Sequence, residues 1–235
     1  MWQIADCPVE NFWKPHPNYL EPAIEGHERI SNHRCWKSHH IYEEFSDRLR
    51  QGDLRLIYVV RDPRDIVISG AHYFYFDRAP RMRDALKKLP MGLRFYNAVI
   101  NSMHYKLLRM TETVMYGCAA THVWCAVPWA EHVCAYLDAS VFTVRYEDML
   151  DDPLHEATRI AEYLKLSRSE QQLKNAISRQ SFDTKKKALH GADLQRNSKI
   201  LREGRSGQWK EQLQPALASK LTEHVKDIMK RLDYV

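Results

Sequence analysis

The sequence predicts an α/β fold in which a parallel central sheet is flanked by helices. Two compact apolar segments rich in β-branched residues, Leu54–Val60 and Val141–Arg145, are typical of buried strands. Long segments with helical features separate and follow them, and this alternation indicates α/β architecture. At 235 residues the chain has the length of one domain with a sizeable core, so we predict a single domain over residues 1–235.

The strand that ends at Val60 should lead directly into a helix. Asp62 can cap this helix, Pro63 suits its first position, and Asp65 lies three residues past the cap. We therefore predict a helix from Pro63 to about Phe76.

The other elements follow less distinct signals. Residues 1–35 are rich in Pro, His, Asn and Glu and predict irregular structure with one short helix at most, before a short strand at Cys35–His39. Ligands of such sheets bind beyond the carboxyl ends of the strands, so residues just after Val60 and Arg145 are the first candidates for a site. Further helices are predicted near Met82–Leu89, Leu93–Thr113, Trp129–Leu137, Pro153–Leu164, Ser169–Ser178 and Pro215–Leu232.

Composition limits the function classes. The formal net charge of +5 suits an anionic ligand and is too small to demand nucleic acid. No run of 18 apolar residues could span a membrane, and the first residues lack the features of a signal peptide. Five cysteines, an odd number without close spacing, favour a reducing compartment. We expect a cytoplasmic protein without a nucleic-acid or membrane partner.

Several metal-ligating residue types crowd one stretch of the chain. Cys118, His122, Cys125, His132 and Cys134 could hold zinc, but no paired C-x-x-C unit occurs among them. Buried structural thiols explain the cysteines better. We therefore predict no metal site.

The first segment that could carry chemistry surrounds the end of the strand at Val60. Arg61 leaves this strand at its carboxyl end, and Ser69 lies roughly two turns into the following helix. Both could face an anion, since the planar guanidinium of Arg suits a phosphate. A surface pair of Arg and Asp with a small packing serine explains the segment equally well.

Two further segments combine basic residues with other chemistry. Residues 202–210 read R-E-G-R-S-G-Q-W-K, and glycines allow a backbone to approach a phosphate closely. Lys37 and His39 would share one face of the strand at Cys35–His39, and a cation beside a titratable base suits group transfer. Taken alone, residues 202–210 fit an ordinary turn better than a phosphate site. Lys37 and His39, taken alone, fit an edge strand better than a site of group transfer.

Together, these segments resemble the cytosolic-type sulfotransferase family in order and spacing. Lys37-Ser38-His39 resembles the family's K-T-H motif, and residues 61–69 match its R-N/D-P-K/R-D-x-x-x-S motif. Residues 202–210 resemble its R-K-G-x-x-G-x-W-K loop, with Glu203 as the one departure. The resemblance runs roughly from Cys35 to the C-terminus, and implies a sulfotransferase fold related to the P-loop nucleotide kinases.

The resemblance implies an enzyme that uses 3′-phosphoadenosine 5′-phosphosulfate as sulfuryl donor and a hydroxyl or amine of a small molecule as acceptor. By this resemblance His39 is the general base, and Lys37 is the cation near the transferred group. No metal takes part in the family's mechanism. The residues it assigns to the nucleotide are Arg61, Ser69, Arg202 and Gly204 at the 3′-phosphate, and Tyr146 and Phe182 at the nucleoside.

One family feature has no counterpart here. The family opens with a strand and a phosphate loop, P-K-S/A-G-T/N-T/N-W, and no such sequence occurs in residues 1–235. We therefore expect that the first strand and phosphate loop are missing and that the chain is N-terminally shortened. A catalytically impaired paralogue that binds a nucleotide or a partner protein is the alternative.

Other properties stay open. The aromatic residues of Tyr73–Phe76 could line an acceptor pocket or belong to the core of a helix. A P-loop nucleotide kinase would need G-x-x-x-x-G-K-S/T, which is absent from the sequence. A homodimer is compatible with the sequence but not indicated by it, because the pairing segment of some relatives, K-x-x-x-T-V-x-x-x-E, is absent after Trp209.

Overall fold

The computed structural model describes residues 9–11, 35–52, 54–74, 76–181 and 204–235. The chain divides into two compact units, each drawn from two separate stretches. Unit 1 comprises Met1–Val60 and His132–Gly204, and unit 2 comprises Arg61–Glu131 and Arg205–Val235. The single domain expected from chain length stays a prediction.

The strands of unit 1 form two parallel pairs. Strand β1 (Val9–Asn11) pairs with β2 (Cys35–Lys37). Strand β3 (Ile57–Val60) pairs with β4 (Phe142–Arg145), with Ile57 opposite Phe142 and Val60 opposite Arg145. The predicted α/β class with parallel strands is therefore confirmed.

Strand β1 corrects one expectation. Residues 1–35 were predicted to be irregular with one short helix at most, and the structure has a strand at Val9–Asn11. Its Val-Glu-Asn sequence is too short to show alternation, and its pairing partner lies far along the chain, so no local signal announces it. The family's phosphate-loop sequence nevertheless remains absent from residues 1–235.

Helices make up most of the described chain. In chain order they are α1 (Glu43–Gln51), α2 (Pro63–Tyr73), α3 (Pro80–Leu86), α4 (Gly92–Phe95), α5 (Met103–Tyr116), α6 (Trp129–Asp138), α7 (Tyr146–Asp151), α8 (Pro153–Tyr163), α9 (Glu170–Gln180), α10 (Trp209–Gln212), α11 (Pro215–His224) and α12 (Lys226–Arg231). A π-helical turn at Tyr96–Ile100 follows α4, and a 3-10 turn covers Val123–Cys125.

Several boundaries differ from the prediction. The predicted helix at Leu93–Thr113 is interrupted at Asn101 and Ser102, where the Ser102 hydroxyl caps α5 by accepting a hydrogen bond from the Tyr105 amide. The last helix, predicted as continuous, breaks at Val225. Helix α1 was not predicted, because Phe45 is its one buried residue and such a short pattern is weak.

The core of unit 1 lies beside β4. Val144 is fully buried, and helices α8 and α9 pack their apolar faces against it. This core therefore fixes the strand that precedes Tyr146. The buried members of the cluster are Val144, Ala157, Ile160, Ala161, Leu173 and Ala176.

The core of unit 2 lies between α2 and α5, and α11 also packs against both helices. The two helices approach closely because α2 carries a glycine at the crossing. A Cβ atom at Gly70 would lie only 2.6 Å from the sulfur of Met110. Val67, Ile68 and Ala71 pack α2, whose first turn carries part of the strand–helix motif, into the core of unit 2.

Candidate nucleotide and transfer site

The first turn of α2 begins with the cap that the sequence predicts. The Asp62 carboxylate accepts a hydrogen bond from the Arg64 amide at 2.8 Å, and Pro63 occupies the first turn of the helix. The same carboxylate pairs with the Arg64 guanidinium at 2.7 Å. Arg64 also stacks over the Trp209 ring at 3.8 Å and donates to the Tyr234 carbonyl at 3.1 Å. Asp62 and Arg64 are thus buried structural residues that join α2 to the C-terminal segment.

Asp65 joins the strand–helix motif to the glycine loop. Its Oδ2 accepts a hydrogen bond from the Gly207 amide at 2.6 Å, and its Oδ1 accepts one from the Trp209 amide at 2.9 Å. The carboxylate is 1% exposed, so both bonds are shielded from water. The sequence places these two segments far apart, and one buried side chain brings them together within unit 2.

Arg61 lies beside this junction. Its Nη2 is 3.7 Å from Asp65 Oδ2 and donates to the Arg205 carbonyl at 3.3 Å. Its side chain remains 23% exposed, so the guanidinium is oriented by the loop and still reaches the surface. Ser69, also in unit 2, is exposed on α2. Both residues are thus accessible to an anion.

The loop ahead of α10 depends on two glycines with positive φ. Gly204 has φ of 63° and Gly207 has φ of 74°, a backbone conformation that residues with a Cβ atom adopt rarely. Nothing lies within 4 Å of a Cβ atom placed on Gly207, so its requirement is conformational and not steric. Two predicted site residues, Phe182 and Arg202, lie outside the described residues.

The proposed transfer residues lie at the end of β2 in unit 1. Lys37 and His39 are both exposed, whereas His40 is buried. Strand β2 ends at Lys37, so the predicted strand extends two residues too far, although the exposure still alternates. His40 hydrogen-bonds Ser38 through its ring, and its carbonyl accepts from the Tyr136 hydroxyl at 2.6 Å. The neighbouring histidines therefore have separate environments.

Tyr58, His132 and Tyr136 form a partly buried cluster beside His39 and His40, and no sequence pattern predicted that these three rings meet. The Tyr58 hydroxyl hydrogen-bonds His132 Nδ1 at 3.0 Å, and the rings of Tyr58 and Tyr136 stack at 4.1 Å. The backbone of His40 and of His39 lies close enough to the His132 ring to influence its pKa. Only the arrangement of α6 beside β3 brings these rings together, since their sequence spacing carries no motif.

Burial sets the ionisation of this cluster. It lowers the pKa of His132, an effect that the hydrogen bonds to the His40 and His39 backbone partly offset. Burial also raises the pKa of Tyr58 and of Tyr136, so both phenols stay protonated and can donate. The cluster is therefore neutral near neutral pH.

His132 should make unit 1 less stable in mild acid. Because burial lowers its pKa in the folded chain, the unfolded chain binds more protons as the pH falls below the ordinary histidine value of 6.5. The free energy of unfolding should therefore decrease below that pH, and this decrease should be smaller in His132→Gln. Urea unfolding between about pH 7 and pH 5 measures both slopes. Equal slopes in the two proteins would show that His132 is not responsible.

Tyr146 and the cysteines complete the predicted residues. Tyr146 begins α7 directly after β4 and is half-buried, in unit 1. Cys118, Cys125 and Cys134 take part in no disulfide among the described residues, and the Cys118 amide donates to the Cys125 carbonyl. Within the described ranges no group of three or more His, Cys, Asp or Glu is arranged to hold a metal ion. Nor is any helix in those ranges long and apolar enough to cross a membrane.

The structure thus unites some predicted residues and leaves others apart. In unit 2, Arg61 and Ser69 share one strand–helix segment, and Arg61 contacts the loop. Lys37, His39 and Tyr146 belong to unit 1, which ends at Gly204. The sequence predicted Asp65 only as part of the cap of α2 and of the strand–helix motif, whereas in the structure its carboxylate binds the Gly207 and Trp209 amides.

Known proteins place this arrangement in one family. A sulfotransferase domain matches residues 8–233, and the chain belongs to the sulfotransferase family. It is similar to cytosolic sulfotransferase 13 of Arabidopsis thaliana, with 23% identity over 90% of this chain and 64% of that protein. It is also similar to sulfotransferase 4A1 of Mus musculus, with 26% identity over 69% of this chain and 50% of that protein. The chain thus spans about half to two thirds of the length of these relatives.

Solved structures agree on the fold. Mouse sulfotransferase SULT7A1 complexed with PAP superposes with a TM-score of 0.62 at 17% identity, covering 96% of this chain and 84% of that one. Retinol dehydratase in complex with androsterone and the inactive cofactor PAP gives a TM-score of 0.58 at 20% identity, covering 88% and 56%. The predicted sulfotransferase fold is therefore confirmed.

Proposed function

We propose that the protein transfers a sulfuryl group from 3′-phosphoadenosine 5′-phosphosulfate to a hydroxyl or amine of a small-molecule acceptor. The observation that carries this proposal is the junction in unit 2 where Asp65 binds the Gly207 and Trp209 amides. It joins the two segments that the family resemblance assigns to the 3′-phosphate. Family membership and the PAP bound to similar structures support the same donor.

The nucleotide would be held by groups that carry or direct positive charge. The Arg61 guanidinium is oriented by the loop and partly exposed, so it can donate charge-assisted hydrogen bonds to a phosphate. The exposed Ser69 hydroxyl can donate another. The backbone at Gly204, with its positive φ, can approach a phosphate closely. We extend this set to Arg202 at the phosphate and to Tyr146 and Phe182 at the nucleoside.

Transfer needs a base and a cation at the reacting group. His39, exposed and adjacent to the anchored His40, would accept the proton of the acceptor as it attacks sulfur. Lys37 would stabilise the negative charge that grows on the leaving phosphate oxygen. The proton moves to the His39 ring while the sulfur–oxygen bond to the nucleotide breaks. The protein's own cations supply the positive charge, so no metal is part of the proposal.

The proposal also covers the cellular location of the protein, its acceptor and its oligomeric state. One similar protein is named a cytosolic sulfotransferase, in keeping with the cytoplasmic location expected from the cysteines. The acceptor is a small molecule with a hydroxyl or amine, and neither the sequence nor the fold selects one. A homodimer remains compatible with the sequence.

Arg61→Ala should weaken binding of adenosine 3′,5′-bisphosphate. Losing a charge-assisted phosphate contact costs about 1.5–3 kcal/mol, which isothermal titration of the nucleotide would detect. Arg61→Lys should recover part of the loss, because it keeps the charge without the fork. Arg50→Ala, an exposed arginine paired with Asp47, is the matched control and should bind as wild type. Equal affinity of wild type and Arg61→Ala would remove the proposed site.

A chain consisting of residues 1–235 alone should bind adenosine 3′,5′-bisphosphate weakly and transfer little or no sulfuryl group. Its sequence contains no P-K-S-G-T-T-W-type loop to hold the 5′-phosphate and stabilise charge as the sulfuryl group leaves. Losing even one preorganised donor of this kind costs about 10²–10³ in rate. Adding an upstream strand with such a loop should restore turnover, measured with radiolabelled donor.

Two outcomes decide between the candidate functions. Robust turnover by residues 1–235 alone would show that another segment supplies the 5′-phosphate site. Nucleotide binding without turnover, even after the loop is added, would favour the catalytically impaired paralogue that acts as a nucleotide-binding or partner protein.

A further inference from the structure

One segment of unit 2 exposes an unusually large number of apolar side chains. We call residues 78–103 the basic–apolar face; they span α3, α4, the π-helical turn and the start of α5. More than half of the large apolar side chains that are exposed in the described chain belong to it. Such a concentration of exposed apolar side chains along one segment is typical of interaction surfaces. The exposed apolar side chains of this segment are between 39% and 71% exposed. They are Met82, Leu89, Met91, Leu93, Phe95, Val99 and Met103.

This face is held from the inside, so its exposure belongs to an ordered surface. Tyr96 is 1% exposed, and its hydroxyl donates to the Asp77 carboxylate, which also pairs with Arg83. The two ends of the segment are tied together, because the Asn101 side chain donates to the Phe76 carbonyl at 2.7 Å. These contacts fix the segment on its inner side, whereas the seven large apolar side chains named above remain exposed.

The corner between α3 and α4 determines which side chains point outward. A Cβ atom on Gly92 would lie 1.9 Å from the Leu86 carbonyl oxygen, so only glycine fits between the two helices. Gly92 and Tyr96 are the buried residues of this turn, whereas Leu93 and Phe95 are exposed. Phe95 and Val99 lie four residues apart, a spacing that places them side by side on a helix.

The same face carries the whole charge excess of the protein. Residues 78–100 contain six of the 35 Lys and Arg residues but only one of the 30 Asp and Glu residues. They therefore carry a formal charge of +5, and the rest of the chain, with 29 residues of each sign, carries none. In the described part of the chain, no ion pair involves the following four exposed residues: Arg81, Lys87, Lys88 and Arg94.

We propose that the basic–apolar face binds the surface of an anionic lipid bilayer. Lys and Arg attract anionic headgroups while exposed Met, Leu and Phe side chains enter the boundary of the acyl chains. The long aliphatic stems of Lys87, Lys88 and Arg94 suit that boundary, with their charges at headgroup level. The expectation of no membrane partner was based on hydropathy. Hydropathy detects segments that span a bilayer, but it does not detect a surface segment in which basic residues alternate with apolar ones. This proposal does not depend on sulfuryl transfer.

Co-sedimentation with vesicles tests the proposal. The 235-residue chain should bind vesicles of phosphatidylcholine and phosphatidylserine mixed in equal parts, bind phosphatidylcholine alone far less, and dissociate as salt is raised. Each lysine near the surface contributes about fivefold in binding, so Lys87→Gln/Lys88→Gln should reduce it about 25-fold. Phe95→Ser should also reduce binding, although it leaves the charge unchanged. Lys220→Gln/Lys230→Gln, which neutralises two exposed lysines elsewhere in unit 2, should bind as wild type.

Three results would overturn it. Absence of binding to the mixed vesicles is one. Equal loss in the Lys87→Gln/Lys88→Gln and control proteins is another, because it would indicate attraction by net charge alone. Concentration-dependent self-association that Phe95→Ser abolishes, without vesicle binding, would assign the face to a second copy of the chain. The same proteins should bind adenosine 3′,5′-bisphosphate equally well whether or not they bind vesicles. A failure of vesicle binding is therefore distinct from a failure of the proposed sulfuryl transfer.

Discussion

Replacing His39 with alanine should abolish sulfuryl transfer in the protein extended upstream by a phosphate loop, while nucleotide binding survives. A positioned general base contributes about 10²–10⁴ in rate, and His39 is the exposed histidine at the end of β2. Turnover with radiolabelled donor and titration with adenosine 3′,5′-bisphosphate separate the two effects.

His40→Ala is the matched control for this prediction. His40 is 4% exposed, hydrogen-bonds Ser38 and packs edge-on against the Phe45 ring, so its loss should lower the free energy of unfolding by roughly 1–3 kcal/mol. Its transfer rate, measured well below the melting temperature, should stay far above that of His39→Ala. If His40→Ala is the inactive protein and His39→Ala the active one, the base has been assigned to the wrong histidine.

Asp65→Ala should be the most destabilising substitution around the glycine loop. It leaves the Gly207 and Trp209 amides without their buried acceptor and removes the carboxylate beside Arg61. Losing these bonds should cost about 3 kcal/mol or more in urea unfolding. Nucleotide affinity should fall as well, because Arg61 is oriented by the same loop.

Two variants make the Asp65 result specific. Asp65→Asn keeps one acceptor oxygen and should lie between alanine and wild type in both measurements. Asp47→Ala removes an exposed carboxylate with a surface partner and should change unfolding by less than about 0.5 kcal/mol. A loss of stability without any change in nucleotide affinity would show that the loop does not position Arg61 for the ligand.

The parts of the fold that the sequence predicted are those with strong local signals. The apolar runs that contain β3 and β4, and the Asp62–Pro63 start of α2, each combine composition with a cap or a boundary residue. Strand β1 and helix α1 were missed because a three-residue strand and a helix with one buried residue are stabilised by distant partners. Local pattern contains no information about such partners.

The candidate site shows the same division. The residues of the three motifs could be proposed from the sequence because each motif has a fixed spacing along the chain, and their roles stay predictions. The contacts that hold these segments were not predicted, since the Asp65 carboxylate binds the Gly207 amide and the Tyr136 hydroxyl binds the His40 carbonyl, each from a distant part of the sequence. Predicting these contacts requires knowing which segments the fold places side by side.

The division of unit 2 between two stretches of the chain has a consequence for its synthesis. Its core needs Leu217 and Leu221 of α11 to cover α2 and α5, and these leucines are translated roughly a hundred residues after α5 ends. At typical ribosomal speeds this interval lasts about 5–20 s. During this interval α11 has not been made, so the side chains of Val67 and Met110 that it would bury are exposed to solvent. We therefore expect newly made chains that stop before α11 to be captured by chaperones or degraded.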